Sequence, residues 1–386
     1  MAHFLVSGAG IGGLTAALAI RQAGHTVTVA EAAPELREAG AGLVLGANTI
    51  QALHRLGLAE QVAVLGAPLH GLTIMDEAGQ ALLDVDAAPF ARRHFGMLTN
   101  IALRHAALQH FLLQQLPAGT LRTGKRLLHF TDTPAGGVLV QFADGSTATA
   151  DALVAADGLH SQVRQLLAPT YHPRYAGYTC WRAVVDASAL ALAPTGRFCE
   201  TWGRAGRFGY VPVGQGRVYW FTTRNSPVAQ NLALAHCTPA DLRRHLAGYH
   251  APVADLLSLT APEQLLWHDI VDLPPLPRYA YGCVVLIGDA AHATTPNLGQ
   301  GAGQAIEDAV VLGQCLATGV APAAAFREFE RRRLRRTHRI VQRSWRVGQM
   351  AQWEQPMLVA ARNALLRFTP RFVTDWQTRF IYNTRF

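Results

Sequence analysis

The strongest constraint on this chain is a glycine loop near its start. Gly8, Gly10 and Gly13 are spaced GxGxxG. They stand between a strand-like run, Phe4–Ser7, and a helical stretch from about Gly12 to Ala23, with a second strand-like run over Thr26–Ala30. The first glycine permits a tight turn, the second lets backbone approach a pyrophosphate, and the third lets helix and strand pack closely. The phosphates then lie at a helix N-terminus, where unpaired N–H groups and the dipole favour negative charge. Glu31 closes the second strand, near the offset at which an acid bonds ribose hydroxyls. Strand, loop, helix, strand and acid together read as a βαβ dinucleotide site in a parallel sheet. The loop alone does not separate FAD from NAD.

Further along, the pattern predicts a helix over Asn48–Leu56 ending at Gly57 and short strands over Leu69–Met75 and Leu82–Val85 about the turn Glu77-Ala78-Gly79. A helix is expected over Ile101–Leu116, closed by Pro117. Strands Val138–Phe142 and Leu153–Ala156 follow, with Asp144-Gly145 read as the turn between hairpin arms. Thr179–Val185, Arg197–Trp202, Phe208–Val213 and Val218–Thr223 read as aromatic-rich strands divided by glycine turns. Pro274-Pro275-Leu276-Pro277 marks a boundary, followed by a buried strand, Val284–Ile287, and long helices. The expected fold is α/β: a Rossmann-like nucleotide-binding domain with an inserted, mainly antiparallel sheet and C-terminal helices. Its domains are discontinuous, with 1–68, 101–177 and 275–386 forming the nucleotide domain and 69–100 and 178–274 the substrate domain.

Composition narrows the function classes. Residues are 50% hydrophobic and 16% charged, which suits a well-buried globular protein. No apolar run reaches the roughly 18 residues of a membrane span, and the chain leads directly into a strand-like run, so a cytoplasmic location is expected. The net charge of +8 is almost all arginine, Lys125 being the sole lysine. Its one dense run, Arg331, Arg332, Arg333, Arg335, Arg336 and Arg339, follows Glu328 and Glu330 and reads as a solvated helix face. No nucleic-acid partner is expected; a nucleotide-sensing protein acting through that helix would instead bind nucleic acid with a steep salt dependence. The five cysteines include no CxxC pair and read as free buried thiols. Among the 16 histidines no HExxH occurs, so no metal site is expected.

A second motif decides the cofactor. Val284-Val285-Leu286-Ile287 runs into Gly288-Asp289-Ala290-Ala291-His292, then Pro296-Asn297-Leu298-Gly299-Gln300-Gly301-Ala302-Gly303. A buried strand thus delivers an aspartate at its C-terminal end, the edge where open α/β sheets bind ligands. The helix beginning near Gly301 aims its positive end at whatever lies there, which suits a reduced flavin. With Asp157-Gly158, followed by Ser161 and Arg164, the chain resembles the class A flavoprotein monooxygenases, the p-hydroxybenzoate hydroxylase family, over nearly its whole length. The resemblance implies FAD held by Gly8, Gly10, Gly12, Gly13, Glu31, Asp157, Gly158, Gly288, Asp289, Pro296, Gly299, Gly301 and Ala302. It also implies two cofactor-contacting arginines, Arg37 and Arg104, and a structural role for His292. A single dinucleotide fingerprint matches relatives in which NAD(P)H reduces the flavin and leaves, and not the two-fingerprint class B enzymes. A flavin-dependent halogenase would need a WxWxI motif, and no WxW occurs.

By resemblance, the chain spends NAD(P)H and O2 to hydroxylate a small aromatic or N-heteroaromatic substrate through a flavin C4a-hydroperoxide, in a site that excludes water. A flavin dehydrogenase or reductase, or an epoxidase, stays open on the same scaffold, as do a monomer and a homodimer. The Thr179–Arg182 and Tyr219–Phe221 segments look most like the branch of urate hydroxylases, salicylate hydroxylases and zeaxanthin-epoxidase-like proteins. In the urate enzymes an acid follows the proline of the flavin loop; Asn297 stands there instead, and an amide cannot act as a base. The expected substrate contacts are Arg207, Tyr210, Tyr219, Phe221, Pro296 and Asn297. Strand alternation puts Tyr219 and Phe221 on one face and Trp220 on the other.

Overall fold

A computed structural model describes residues 1–36, 41–86, 88–89, 100–134, 136–190, 196–384 and 386. Its first layer is a six-stranded sheet in the order Ala280–Tyr281, Val284–Leu286, Ala152–Ala155, His3–Ser7, Thr26–Ala30 and Leu121–Arg122. All neighbours run parallel except the edge pair Ala280–Tyr281 with Val284–Leu286. The central strands are fully apolar runs such as Phe4-Leu5-Val6 and Leu153-Val154, as a sheet covered on both faces requires. Helix Ile11–Gln22 crosses between the first two strands, and helix Gly301–Leu316 packs against it. The approach is close because both faces are small: a Cβ on Gly313 would come within 2.9 Å of the Ala19 Cβ.

The second layer is a seven-stranded sheet in the order Leu266–Asp272, Arg174–Asp186, Arg217–Asn225, Arg207–Gly214, Arg197–Trp202, Gly71–Met75 and Ala81–Asp86. It is antiparallel except where Arg197–Trp202 meets Gly71–Met75. One face packs Trp181, Ala183, Val185, Phe208 and Trp220 against Leu242, Leu246, Val253, Leu256 and Leu257, which lie in and around helices Pro239–His245 and Val253–Ser258. The other face looks toward the parallel sheet across a cleft. Two three-stranded antiparallel sheets flank these layers. Helices Pro322–Ala351, Pro356–Arg367 and Arg371–Tyr382 complete the chain. Among the described residues no helix is long and apolar enough to cross a membrane.

Several local expectations need correction. Asn100–Arg104 is a strand, paired with Gly42–Leu45 and Ala67–Leu69, and the helix begins only at His105. Ile101, Ala102 and Leu103 are all buried, the consecutive pattern of a covered strand. Leu69 belongs to that small sheet, and Gly71–Met75 to the large one. The arm opposite Val138–Phe142 across Asp144-Gly145 is Thr147–Ala150, while Ala152–Ala155 joins the parallel sheet. The arginine run is not simply a solvated face. Arg333 is buried and bonds Glu307 and Asp308, and Arg336 also bonds Glu307. Of the five free cysteines, Cys180, Cys199 and Cys315 are buried, and Cys237 and Cys283 only partly.

Candidate active site

The glycine loop is built by close approach. Gly8 sits at φ +102°, and a Cβ there would lie 2.4 Å from the Ala156 carbonyl oxygen. A Cβ on Gly13 would lie 1.9 Å from the Gly8 oxygen. Neither distance is tolerable, so both positions hold strand, loop and helix together. Gly10 differs: a Cβ there meets nothing within 4 Å, because Gly10, with Gly12, lines the cleft. Glu31 lies beneath the loop, accepting from the Ala9 N–H at 2.7 Å and the Ala33 N–H at 2.8 Å, and thereby fixes the turn from the second strand.

The aspartate motifs meet beside it. Asp157 accepts from the Val163 N–H in the first turn of helix Gln162–Leu167, whose N-cap is Ser161; burial raises its pKa, and its Oδ1 is buried without a partner among the described residues. The fully buried Arg164 donates to the carbonyls of Leu159 and Ala290, stitching the Asp157-Gly158 segment to the Gly288-Asp289 segment. Asp289 reaches the cleft; its deep position raises its pKa, opposed by His292 and Arg164. His292 is structural, as expected: its Nε2 lies 2.6 Å from Asp308 Oδ2, and that oxygen also accepts from the Gly288 N–H. Arg333 completes this buried knot, which holds the start of the aspartate motif on helix Gly301–Leu316.

Gly10, Gly12, Gly158, Gly288, Asp289, Pro296, Gly299, Gly301 and Ala302 all line one cleft of about 1350 Å³. At Gly10, Gly158 and Gly299 an added Cβ would stand in open space, and at Gly301 it would meet only Thr294, at 3.9 Å. Bare backbone thus faces a long cavity ending on a helix N-terminus, a cradle that fits a flat, anionic dinucleotide such as FAD. Gly8, Gly13, Glu31 and Asp157 support that cradle without lining it. Arg104 ends its strand directly before helix His105–Gln114 and does not line the cleft either. Arg37 lies outside the described residues.

The opposite wall is one face of the seven-stranded sheet. Arg207, Tyr219, Phe221, Pro296 and Asn297 line the cleft. Arg207 is buried, donates from Nε to Glu200 at 2.6 Å, and donates from Nη1 to the Asn297 Oδ1 at 2.5 Å. Asn297 Nδ2, with two N–H groups, has three acceptors within reach: Tyr178 Oη at 3.0 Å, Thr295 Oγ1 at 2.9 Å and the Ser344 carbonyl at 2.9 Å. Helix Pro322–Ala351 comes this near only because position 348 is glycine, where a Cβ would sit 2.3 Å from Asn297 Nδ2. Burial raises the pKa of Tyr178 and Tyr219, and pushes the Cys180 thiol up to about 11. Trp220 lies behind the sheet as alternation demands, stacked on Phe208 at 5.5 Å.

Tyr210 is a correction. It packs with Trp220 and Phe208 in the core behind the sheet and does not line the cleft. Three residues from Arg207 along one strand, it points to the opposite side by the same period-two rule that pairs Tyr219 with Phe221. Sequence reasoning also missed residues. Glu200, Cys180 and Arg182 line the cleft wall, on strands Arg197–Trp202 and Arg174–Asp186, where no contact was expected and alternation alone does not say which face looks inward. His105 and His268 line it too, and both are held below the usual histidine range by burial and by Arg182, His268 at about 4.

Comparison with known proteins agrees with this geometry. Residues 1–344 match the family described as FAD binding domain. The chain is 36% identical over 377 residues, 97% of its length and 96% of the relative's, to an aurachin C monooxygenase/isomerase of Stigmatella aurantiaca. It is 32% identical over 372 residues, 95% of its length and 94% of the relative's, to a 2-heptyl-3-hydroxy-4(1H)-quinolone synthase of Pseudomonas aeruginosa. Its fold matches the crystal structure of Klebsiella pneumoniae HpxO complexed with FAD and uric acid at TM-score 0.89 and 32% identity, covering 98% of this chain and 96% of that one. The chain belongs to the FAD binding domain family and is one of its FAD-dependent monooxygenases.

Proposed function

We propose that this protein hydroxylates a neutral, oxygen-bearing aromatic or N-heteroaromatic ring, consuming one NAD(P)H, one proton and one O2 and releasing NAD(P)+ and one water. In this reading segments 1–68, 101–177 and 275–386 hold FAD, while 69–100 and 178–274 cover the substrate. The carrying observation is that one sheet face presents Tyr219, Phe221 and Arg207 across the cleft from the glycine cradle. Bound FAD supplies the redox chemistry, taking hydride from NAD(P)H and activating O2 for transfer of one atom to the ring.

The protein's part is to hold and shield. Gly10, Gly12, Gly158, Gly299, Gly301 and Ala302 would lie along the cofactor and Asp289 would meet its hydroxyls, while Glu31 fixes the loop from beneath. Tyr219, Phe221 and Pro296 enclose the ring and keep water out. Arg207 has five N–H groups, of which Glu200 and Asn297 engage three; the other two donate to a ring carbonyl or hydroxyl. Around Arg207 the wall is neutral, because Glu200 offsets the guanidinium and Asn297 carries no charge, and the two charged groups further along it, Arg182 and Asp269, are of opposite sign. That favours a phenol, pyridone or quinolone over urate or a carboxylate.

The test is NADH and NADPH oxidation by the purified holoprotein with phenols, pyridones, quinolones, urate and benzoates. The expected result is ring-stimulated consumption with hydroxylated product in excess of peroxide. Stimulation by urate or benzoate alone would contradict the neutral-ring reading.

A further inference from the structure

The cleft wall changes character from one side of the sheet to the other. At the Leu266–Asp272 side it carries His268 and Arg182; in the middle, Tyr219, Phe221 and Arg207; at the far edge, Leu72, Ile74, Leu83 and Val85. These last four are not a chance collection. Leu72 stands directly opposite Val85, and Ile74 opposite Leu83, so two strands form one apolar strip. Phe198 extends it from the neighbouring strand, beside Leu72. Val347 and Met350 of helix Pro322–Ala351 and Leu366 of helix Pro356–Arg367 face it. Leu72, Leu83, Val85, Val347 and Met350 are only partly buried, and all line the cleft. Leu72, Leu83, Val347 and Met350 pack at their inner ends on the buried cluster of Ile74, Leu82, Trp202, Ala351 and Leu366, yet among the described residues they keep apolar surface open to the cleft, and such surface inside a cavity marks the place of an apolar ligand group.

We infer that this edge is a tail subsite: the ring substrate carries an alkyl, alkenyl or prenyl chain that lies along Leu72, Ile74, Leu83, Val85, Val347 and Met350. This deepens the ring-hydroxylation reading and rests on it. The strand holding Arg207 is three strand spacings from Ala81–Asp86, or about 14 Å. A ring held at Arg207 therefore leaves room along the sheet for a chain of several methylenes. Neither Arg207, Glu200 nor Asn297 reaches that edge, since their bonds are made among themselves and to Tyr178, Thr295 and Ser344. The division gives the two ends separate tasks: polar groups fix which ring atom faces the flavin, and the apolar strip supplies binding energy.

The experiment titrates the oxidised holoprotein, followed by flavin absorbance. The probes are 4(1H)-quinolone and its 2-methyl, 2-propyl, 2-pentyl, 2-heptyl and 2-nonyl derivatives, and in parallel phenol and the matching 4-alkylphenols. Each methylene that enters the strip is expected to tighten Kd by up to about fourfold, levelling off once the strip is covered. Leu83→Trp, which fills the strip, and Leu72→Ser, which makes it polar, are both expected to reduce the ratio of long-chain to unsubstituted affinity at least tenfold. A Kd independent of chain length on both rings, or a chain-length gain that survives in both variants, overturns the tail subsite. If the unsubstituted rings still bind and are hydroxylated in that case, the ring reading stands. If no member of either series binds or stimulates NAD(P)H oxidation, both fall together.

Discussion

Two glycines of one loop should fail in opposite ways when each gains a single methyl group. Gly13→Ala places a Cβ 1.9 Å from the Gly8 carbonyl oxygen, more than 1 Å inside ordinary contact, and that oxygen belongs to the backbone of a buried βαβ crossing. Relief requires shifting helix Ile11–Gln22 off the sheet, a cost at the upper end of core overpacking, about 3 kcal/mol. Gly10→Ala adds the same methyl where nothing lies within 4 Å, at φ −70° and ψ 177°, a conformation alanine adopts freely. The apoprotein should therefore keep its stability, or gain up to about 1 kcal/mol from a stiffer unfolded chain. That methyl, however, projects into the cleft, at the bare backbone proposed to receive the pyrophosphate. Losing one hydrogen bond to a charged group costs about 1.5–3 kcal/mol, or roughly 10- to 150-fold in FAD affinity. Urea unfolding of FAD-stripped protein and FAD fluorescence quenching measure the two quantities separately. Wild-type FAD affinity in Gly10→Ala would refute the placement of the pyrophosphate. Equal loss of apoprotein stability in both variants would refute the division of labour.

Other consequences follow from the buried charges. Arg207→Met leaves Glu200, 6% exposed, without its counter-ion and should destabilise the apoprotein by about 3–5 kcal/mol in urea unfolding, with Glu200→Gln in the same chain restoring most of it. Arg333 and Arg336 hold the Glu307 carboxyl at about 2, and His292 and Arg333 depress Asp308. Depressed carboxylates stabilise the fold above their unfolded pKa, and that stability is lost as pH falls through the folded values. Arg333→Met should therefore move the acid-unfolding midpoint upward, whereas Arg331→Ala, an exposed pair with Glu328, should leave it in place. His268, lowered to about 4 by burial and Arg182, stays neutral in the fold while its unfolded form protonates near the ordinary value. Stability is then lost as pH falls from about 6.5 toward 4, and His268→Gln should flatten pH-dependent unfolding across that window.

The parts of this protein legible in its sequence are those fixed by short-range geometry. The glycine loop, the strand feeding Gly288-Asp289 and the Asp157-Gly158 turn each need a particular backbone within a few residues, so spacing alone identifies them. What was not legible depends on partners far along the chain. Asn100–Arg104 reads as the start of a helix until Gly42–Leu45 and Ala67–Leu69 pair with it. Arg333 reads as one more surface arginine until Glu307 and Asp308 arrive from another helix. Tyr210 was within reach: the alternation that joins Tyr219 to Phe221 also sets it behind the sheet. The apolar strip was half visible, since Leu72 and Ile74, like Leu83 and Val85, are two apart. Their register against each other, and the helices facing them, come only from the fold.

The most direct test of the account is to follow the oxygen atom. Turnover of a ring substrate by the holoprotein with NAD(P)H under 18O2 in ordinary water, and the converse under ordinary O2 in H2 18O, assigns its source by product mass. One 18O per product from the gas and none from water is the predicted result. Product formed without O2, or labelled from water, would contradict monooxygenation at this site.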